Sequence, residues 1–203
     1  MCDRNPLLTL RSYSHFILSH VPWTHWVVMA VVPLALTVIL LFRKKCSVYG
    51  AIALGLTVFM GLFLLDTAVG IRYFGIMKHS SGCHLSLDFS RMFQKTGQGP
   101  VETLSNIAVF VPFGFFLGEF LASASAVSSA DPEAATKRLG SWRRGGLVTL
   151  AGLGFSLCIE TLQLLLHVGF FELTDLVMNT VGAFVGALMS VGLREVVGER
   201  RLC

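Results

Sequence analysis

Five long apolar segments dominate this sequence and restrict what it can fold into. An α-helix needs about 20 mainly apolar residues to cross the roughly 30 Å hydrocarbon core of a bilayer. The composition agrees, since 54% of the 203 residues are hydrophobic and only 14% are charged. We therefore predict an all-α fold, a polytopic integral membrane helical bundle of about five transmembrane helices. The predicted spans are 23–42, 50–69, 101–121, 145–166 and 173–193.

Basic residues at the ends of these segments predict the orientation of the chain. Ten lie on one side of a five-span topology and six on the other, and cytoplasmic loops carry the excess of Lys and Arg. This favours a multi-pass protein of the cell (cytoplasmic) membrane with its C-terminus in the cytoplasm. The formal charge of +4 does not suggest nucleic-acid binding, because the basic residues cluster at the ends of the spans. The ten are Arg43, Lys44, Lys45, Lys137, Arg138, Arg143, Arg144, Arg194, Arg200 and Arg201.

The connections between spans predict one domain with two notable loops. We expect residues 1–203 to form a single membrane domain without an internal repeat. Residues 122–141 are small and polar, which predicts a flexible cytoplasmic linker between the third and fourth spans. Residues 85–93 place apolar side chains at helical spacing, which predicts a short amphipathic helix. That helix would lie on the membrane surface or pack on the bundle as a lid over the candidate site.

Two polar pairs in the last two spans mark this candidate site. Glu160 and Gln163 are three residues apart, so they share one face of a helix. Asp175 and Asn179 are four apart and share a face of the next helix. A short connection makes the two helices antiparallel neighbours, so both pairs lie at one membrane depth. Ionisable groups at that depth are costly and face the bundle interior or a water-filled cavity. We expect the pairs to converge, together with Asn106 if the third span packs beside them.

These residue types suit several kinds of chemistry. Two carboxylates close together at low dielectric resist ionising at the same time. Glu160 and Asp175 therefore suit general acid–base catalysis, cation binding or the anchoring of a polar headgroup. The residues expected to orient them or to bind ligand are Asn106, Gln163, Asn179 and His167. The alternative is that these groups only hydrogen-bond one helix to another. No catalytic triad or standard metal-ligand spacing is present, so we predict no metal and no cofactor.

Small residues deeper in the same spans predict close helix contacts. Gly114 and Gly118 form one small-xxx-small step, and Gly182 and Gly186 form another on the face that carries Asn179. Pro112 removes a backbone donor within the third span. We interpret these five residues as packing positions rather than as ligands.

The same residues form motifs that resemble those of a known family. The motifs are NxxxFxPxG from Asn106 to Gly114, ExxQ from Glu160 to Gln163, and DxxxNxxGxxxG from Asp175 to Gly186. In this order, within about residues 100–190, they resemble the VanZ-like membrane family. The resemblance implies a polytopic envelope protein with an outward polar cluster. The family's founding member is associated with low-level resistance to the glycopeptide teicoplanin.

One departure from the family pattern concerns the turn before the acidic motif. The family commonly has an arginine there, whereas this turn reads His167-Val168-Gly169-Phe170-Phe171. If the arginine of relatives binds an anionic group, this chain either lacks the contact or supplies it from elsewhere. Arg72 and Arg91 are the candidates to supply it.

The functional hypothesis is recognition or modification of an outer-leaflet envelope component. Candidate partners besides the lipid bilayer are a lipid-linked glycan and a lipoglycopeptide antibiotic of the teicoplanin type. One alternative is a membrane enzyme on a lipid-linked substrate, with a carboxylate as general base. Another is a structural or assembly subunit of a membrane complex. A small transporter is the least favoured, because its mid-membrane site should be unwound or interrupted by Gly or Pro, and only Pro112 hints at that.

Overall fold

Five long helices make up most of the protein in the computed structural model, which describes residues 22–43, 47–73, 82–84, 98–128 and 140–200. Each of the five is long and apolar enough to cross a membrane, which confirms the prediction of an all-α, multi-pass membrane bundle. The first helix has the predicted bounds, and the others agree within several residues at each end. They are α1 (Trp23–Phe42), α2 (Val48–Leu65), α4 (Gln98–Ser128), α5 (Ser141–Leu165) and α6 (Leu173–Arg200).

Short elements extend or connect these helices at one end of the bundle. A π-helical turn, Asp66–Gly70, continues α2 and leads into the one-turn helix α3 (Ile71–Tyr73). Two three-residue strands, β1 (Gly82–His84) and β2 (Phe170–Glu172), pair in parallel. Their register sets Cys83 opposite Phe171. The sequence pattern predicted only a turn where β2 lies, because a three-residue strand is too short to show an alternating pattern.

Successive long helices run in opposite directions, so polar residues from distant parts of the sequence meet at two ends. We name the two ends of the bundle after Glu160 and Glu119, the glutamates that lie near them. The Glu160 end contains the first residues of α1, α4 and α6 and the last residues of α2 and α5. The Glu119 end holds the opposite terminus of each helix. Apolar side chains cover much of the outer surface between them, and Val28 and Val31 of α1 are each 54% exposed. Such a surface suits contact with lipid.

The helices α4 and α6 pack backbone to backbone through glycine. A Cβ on Gly182 would collide with the carbonyl oxygen of Ile107, and a Cβ on Gly186 with that of Val111. On the facing helix, a Cβ on Gly114 would collide with the backbone of Ala183. Gly118 faces a side chain instead, with Ser190 Oγ 2.8 Å from the Cβ position, and Pro112 lies inside α4. Close approach of the two helices therefore depends on the absence of side chains at these glycines.

The predicted linker 122–141 is wrong in its first part, because α4 continues to Ser128. Ala122 and Ser123 are buried, and Ser123 Oγ hydrogen-bonds Ser47 Oγ at the start of α2. Alanine also has the highest helix propensity, so small residues here extend the helix and pack it. Residues 129–139 of the predicted linker and the predicted amphipathic helix 85–93 lie outside the described residues.

Candidate functional site

The finish of α5 positions the first polar pair. The helix closes with two backbone bonds, from Val168 N to Gln163 O at 2.9 Å and from His167 N to Leu164 O at 3.2 Å. This is a Schellman motif, which needs a left-handed residue at the position of His167. His167 has φ 54° and its side chain is exposed. The structure therefore gives this residue a conformational role in the turn.

Glu160 lies one turn before that motif and is 3% exposed. Its Oε2 accepts a hydrogen bond from the backbone N–H of Glu172, with N and O 2.9 Å apart. The charges of Asp175, Glu172 and Arg72 all act on it. The two predicted carboxylates, Glu160 and Asp175, therefore lie within electrostatic reach of each other, across the junction of α5 and α6.

Gln163 joins α5 to the π-helical turn. Its Nε2 donates to the carbonyl oxygen of Ala68, with N and O 3.0 Å apart. A π-helical turn is rare and leaves carbonyl groups outside the regular helical bonding pattern. The turn therefore offers Ala68 O as an acceptor to a side chain from another helix.

Asn179 lies deeper between α5 and α6 and is 6% exposed. Its Nδ2 donates to Ser156 Oγ at 2.9 Å. Its Oδ1 is buried and finds no hydrogen-bond partner in the part of the chain that the structure describes. A buried acceptor without a partner is uncommon in native proteins and calls for an explanation.

Arg72 brings a positive charge to this end from α3. Its Nη1 lies 3.1 Å from the position that a Cβ on Gly169 would occupy, and the Gln163 side chain borders the same point. Its Nε is buried, and no described residue is its hydrogen-bond partner. The guanidinium thus lies against the α5–α6 turn, which has no arginine of its own. Arg91, the other residue considered for this position, lies outside the described residues.

A histidine and an aspartate that the sequence analysis did not pair also meet at this end. Asp66 Oδ1 accepts a hydrogen bond from His25 Nδ1 at 2.7 Å, which ties the start of α1 to the finish of α2. The two residues are 41 positions apart, so no local spacing could have indicated the contact.

Asn106 is a predicted site residue whose side chain the structure does not connect to the junction of α5 and α6. It is half-buried on α4, one turn before Phe110, whose ring lies 6.2 Å from that of Phe155 on α5. No hydrogen bond to its side chain is formed by any residue that the structure describes. The site as observed is therefore built from α5, α6, α3 and the π-helical turn.

A second polar cluster, at the Glu119 end, was missed in the sequence. Glu119 is 2% exposed and accepts hydrogen bonds from Tyr49 Oη at 2.7 Å and Ser190 Oγ at 2.6 Å. Arg194 pairs with it through Nη2 at 2.8 Å and Nε at 3.1 Å. The sequence feature that could have indicated this cluster is the single carboxylate of Glu119 within an apolar segment. Burying a carboxylate there costs free energy unless it is paired.

The Glu160 end can bind polar groups of both signs. It offers carboxylates, the amide of Asn179 with a buried acceptor, and the guanidinium of Arg72. Across the described ranges, no three His, Cys, Asp or Glu side chains gather closely enough to hold a metal ion. The arrangement therefore suits an organic ligand that carries hydrogen-bond donors together with an anionic group.

Comparison with known proteins assigns the family. Neither the curated proteins nor the solved structures give a match. The sequence matches the VanZ/LLP1 family over residues 70–194, more than half of the chain. The matched region contains Arg72, Glu160, Asp175 and Asn179, and with them most of the site described above. This multi-pass membrane protein belongs to the VanZ/LLP1 family.

Proposed function

We propose that this VanZ-like protein recognises a polar component of the cell envelope at its Glu160 end, and that this recognition confers tolerance of teicoplanin-type glycopeptides. Two buried polar atoms that have no partner among the described residues, Arg72 Nε and Asn179 Oδ1, carry the proposal. Each buried group that lacks a partner costs about 1–3 kcal/mol. A ligand that supplies the missing acceptor and donor would recover this free energy.

The distribution of basic residues supports an outer-leaflet position for the site. Of the ten Lys and Arg residues on the more basic side of the predicted topology, Arg43, Arg143, Arg144 and Arg194 lie in described helices or caps at the Glu119 end, and the positive side of a membrane protein is cytoplasmic as a rule. The Glu160 end then faces the outer leaflet, where lipid-linked glycans and lipoglycopeptides are accessible.

The proposed roles follow from position. Glu160 and Asp175 bind donors of the ligand, and Gln163 holds the π-helical turn against α5. Asn179 binds a ligand donor through Oδ1. Glycines 114, 118, 182 and 186, with Pro112, keep α4 and α6 close enough to support the site.

Glycopeptide susceptibility of a sensitive host tests this proposal. The host expresses wild type, Glu160→Gln, Asp175→Asn or Arg143→Gln, with membrane levels matched by immunoblot. Arg143 is exposed near the opposite end, so its substitution is the matched control for a charge change. We expect wild type and the control to protect against teicoplanin and both site variants to lose protection. Protection that survives in both site variants, or that is absent in wild type, contradicts the proposal.

A membrane enzyme acting on a lipid-linked substrate is the second candidate. The observation that favours it is that Glu160 and Asp175 are near enough to interact electrostatically, since neighbouring carboxylates can act as acid and base. Mass spectrometry of envelope lipids separates the candidates. An enzyme yields a product that is present with wild type and absent with Glu160→Gln, whereas a recognition protein leaves the lipid composition of both strains the same.

A further inference from the structure

An apolar groove opens between α1, α2 and α5 near the Glu160 end. It encloses about 440 Å³, within the range of roughly 300–1,000 Å³ that is usual for small-molecule sites. Its apolar walls are made by Val28 and Met29 of α1, Leu62 and Leu65 of α2, and Leu162 and Leu166 of α5. Val28 and Leu166 are 54% and 40% exposed, so the groove opens on the surface that suits contact with lipid. An occupant can therefore enter from the bilayer.

The polar lining of the groove is gathered at the Glu160 end. It consists of Thr24 and His25 near the start of α1, Asp66 directly after α2, and Tyr73 of α3. The Asp66 side chain is 16% exposed, and no lysine or arginine belongs to the described lining. Arg72 is not part of this lining, and its guanidinium lies against the α5–α6 turn. An occupant of the groove therefore meets a carboxylate and no guanidinium or lysine ammonium.

Asp66 keeps acceptor capacity for a ligand. Its Oδ1 accepts a hydrogen bond from His25 Nδ1 at 2.7 Å. A carboxylate has about four acceptor sites on its two oxygens, and this bond uses one of them. The histidine holds the carboxylate in place between α1 and α2, and the other acceptor sites suit a headgroup that is rich in donors.

Charge indicates that this headgroup is a cation. Asp66, Glu160, Glu172 and Asp175 all lie at this end, and among the described residues their carboxylates outnumber the guanidinium of Arg72. An anionic headgroup in the groove would be repelled by the nearest of them, Asp66, whereas an ammonium brings it a positive charge and three donors.

An aromatic ring adds to this preference. Tyr73 lines the groove and is 57% exposed, and ammonium groups are attracted to the faces of such rings. The carboxylate and the ring therefore favour the same kind of headgroup.

The structure assigns the α1–α2–α5 groove to a single-chain lipid amine, with its alkyl chain between the three helices and its ammonium group on Asp66. This site lies beside the proposed envelope-recognition site and does not depend on it, because neither Glu160 nor Arg72 belongs to the lining. The inference therefore goes beyond the proposed function, and a failure of the glycopeptide assay would leave it standing.

Three probes with the same alkyl chain and different headgroups test the inference. Native mass spectrometry of the purified full-length protein in uncharged detergent measures the binding of hexadecylamine, hexadecanol and hexadecyl sulfate at neutral pH. We expect wild type to prefer the amine to the alcohol by about tenfold, the effect of one hydrogen bond to a charged group. The sulfate should bind more weakly than the alcohol. Equal binding of the three probes, or a preference for the sulfate, overturns the inference.

Asp66→Asn tests the carboxylate itself. The Oδ1 of an asparagine can still accept from His25 Nδ1, so the substitution removes the charge and keeps the contact between α1 and α2. It should abolish the preference for the amine and leave the binding of hexadecanol unchanged. Glu195→Gln is the matched control, because Glu195 is an exposed carboxylate at the opposite end, and it should keep the preference. Equal losses in the two variants overturn the inference.

Asp66→Glu guards against misfolding as the cause of a loss. It keeps the negative charge at the end of α2 and should retain part of the preference for the amine. An Asp66→Glu protein that binds hexadecanol but shows no preference contradicts the role of the charge.

A matched pair of variants on α1 tests the groove separately from the charge. Val28 and Val31 are each 54% exposed, but of the two only Val28 lines the groove. Val28→Trp adds bulk to the groove wall and should weaken the amine and the alcohol at least fivefold, whereas Val31→Trp should leave both unchanged. Unchanged binding in Val28→Trp, or equal weakening in the two variants, overturns the groove as the site.

Discussion

Each end of the bundle buries a glutamate, but the two side chains differ in the hydrogen bonds that they accept. Glu119 accepts hydrogen bonds from Tyr49, Ser190 and Arg194, and the guanidinium of Arg194 also lies 5.8 Å from the centre of the Tyr49 ring. Glu160 accepts one backbone N–H and is surrounded by further charges. Both buried polar atoms without partners in the described part of the chain belong to the Glu160 end.

We interpret this difference as one between a structural cluster at the Glu119 end and the proposed functional site at the Glu160 end. A buried charge that is fully paired joins helices and is costly to disrupt. A buried group left without a partner lowers stability, and ligand binding is one role that accounts for such a group. We therefore expect substitutions at the Glu119 end to change folding stability and substitutions at the Glu160 end to change function.

The largest effect on stability is expected for Glu119→Gln. The substitution removes the negative charge beside Arg194 and directs an amide NH₂ at groups that are themselves donors. Breaking a buried pair from one side costs roughly 3 kcal/mol or more. Thermal unfolding in detergent, followed by the far-ultraviolet helix signal, should show a clear fall in Tm. An unchanged Tm would show that the Glu119 cluster does not hold the helices together.

A smaller loss is expected where α4 meets α6. Gly186→Ala drives a methyl group against the carbonyl oxygen of Val111, and overpacking of this kind costs about 1–3 kcal/mol. Gly154→Ala is the matched control, because nothing lies within 4 Å of its Cβ position. The same unfolding assay should show a lower Tm for the first variant only. Equal Tm values would contradict the close packing of the two helices.

Removing one hydrogen bond at each end should sharpen the comparison. Ser190→Ala takes a donor from Glu119, which should cost about 1 kcal/mol. Asn179→Ala also removes a hydrogen bond, to Ser156, but it eliminates the unsatisfied Oδ1 as well. The two effects offset, so its free energy of unfolding should stay within about 0.5 kcal/mol of wild type. Urea unfolding of both variants measures the difference, and the reverse order would undermine the distinction between the ends.

The smallest effect is expected for His167→Gly. A residue other than glycine at positive φ carries a conformational cost of about 1 kcal/mol, so glycine should raise the free energy of unfolding by a fraction of that amount. Glycopeptide protection should be unchanged, because the imidazole is exposed in the turn. Loss of protection would support the prediction from the sequence that His167 binds ligand or orients the site.

The fold could be predicted largely from the sequence because the membrane sets the length of each helix. Five apolar segments of about 20 residues leave little choice of secondary structure. The prediction of helix bounds failed where the thickness of the membrane no longer sets the length of a helix. The end of α4 was placed too early, since the small polar residues around Ser123 resemble a linker but pack against Ser47.

The candidate site was only partly accessible to prediction. Helical spacing grouped Glu160 with Gln163 and Asp175 with Asn179, because local periodicity fixes which face a side chain occupies. The contacts of Gln163 with Ala68 and of Glu119 with Arg194 span 95 and 75 residues. Contacts at such separations depend on how helices pack, which no local pattern specifies. Arg72 was named only because the turn lacked an arginine of its own.

One paired measurement tests the central claim most directly. Glu160→Gln and Glu119→Gln make the same chemical change at the two ends, and each variant is measured for Tm in detergent and for teicoplanin protection per molecule in the membrane. We predict that Glu160→Gln keeps a Tm close to wild type and loses protection, whereas Glu119→Gln loses stability and keeps protection per folded molecule. A Glu160→Gln protein that is destabilised as strongly as Glu119→Gln, or that still protects fully, would contradict the assignment of function to the Glu160 end.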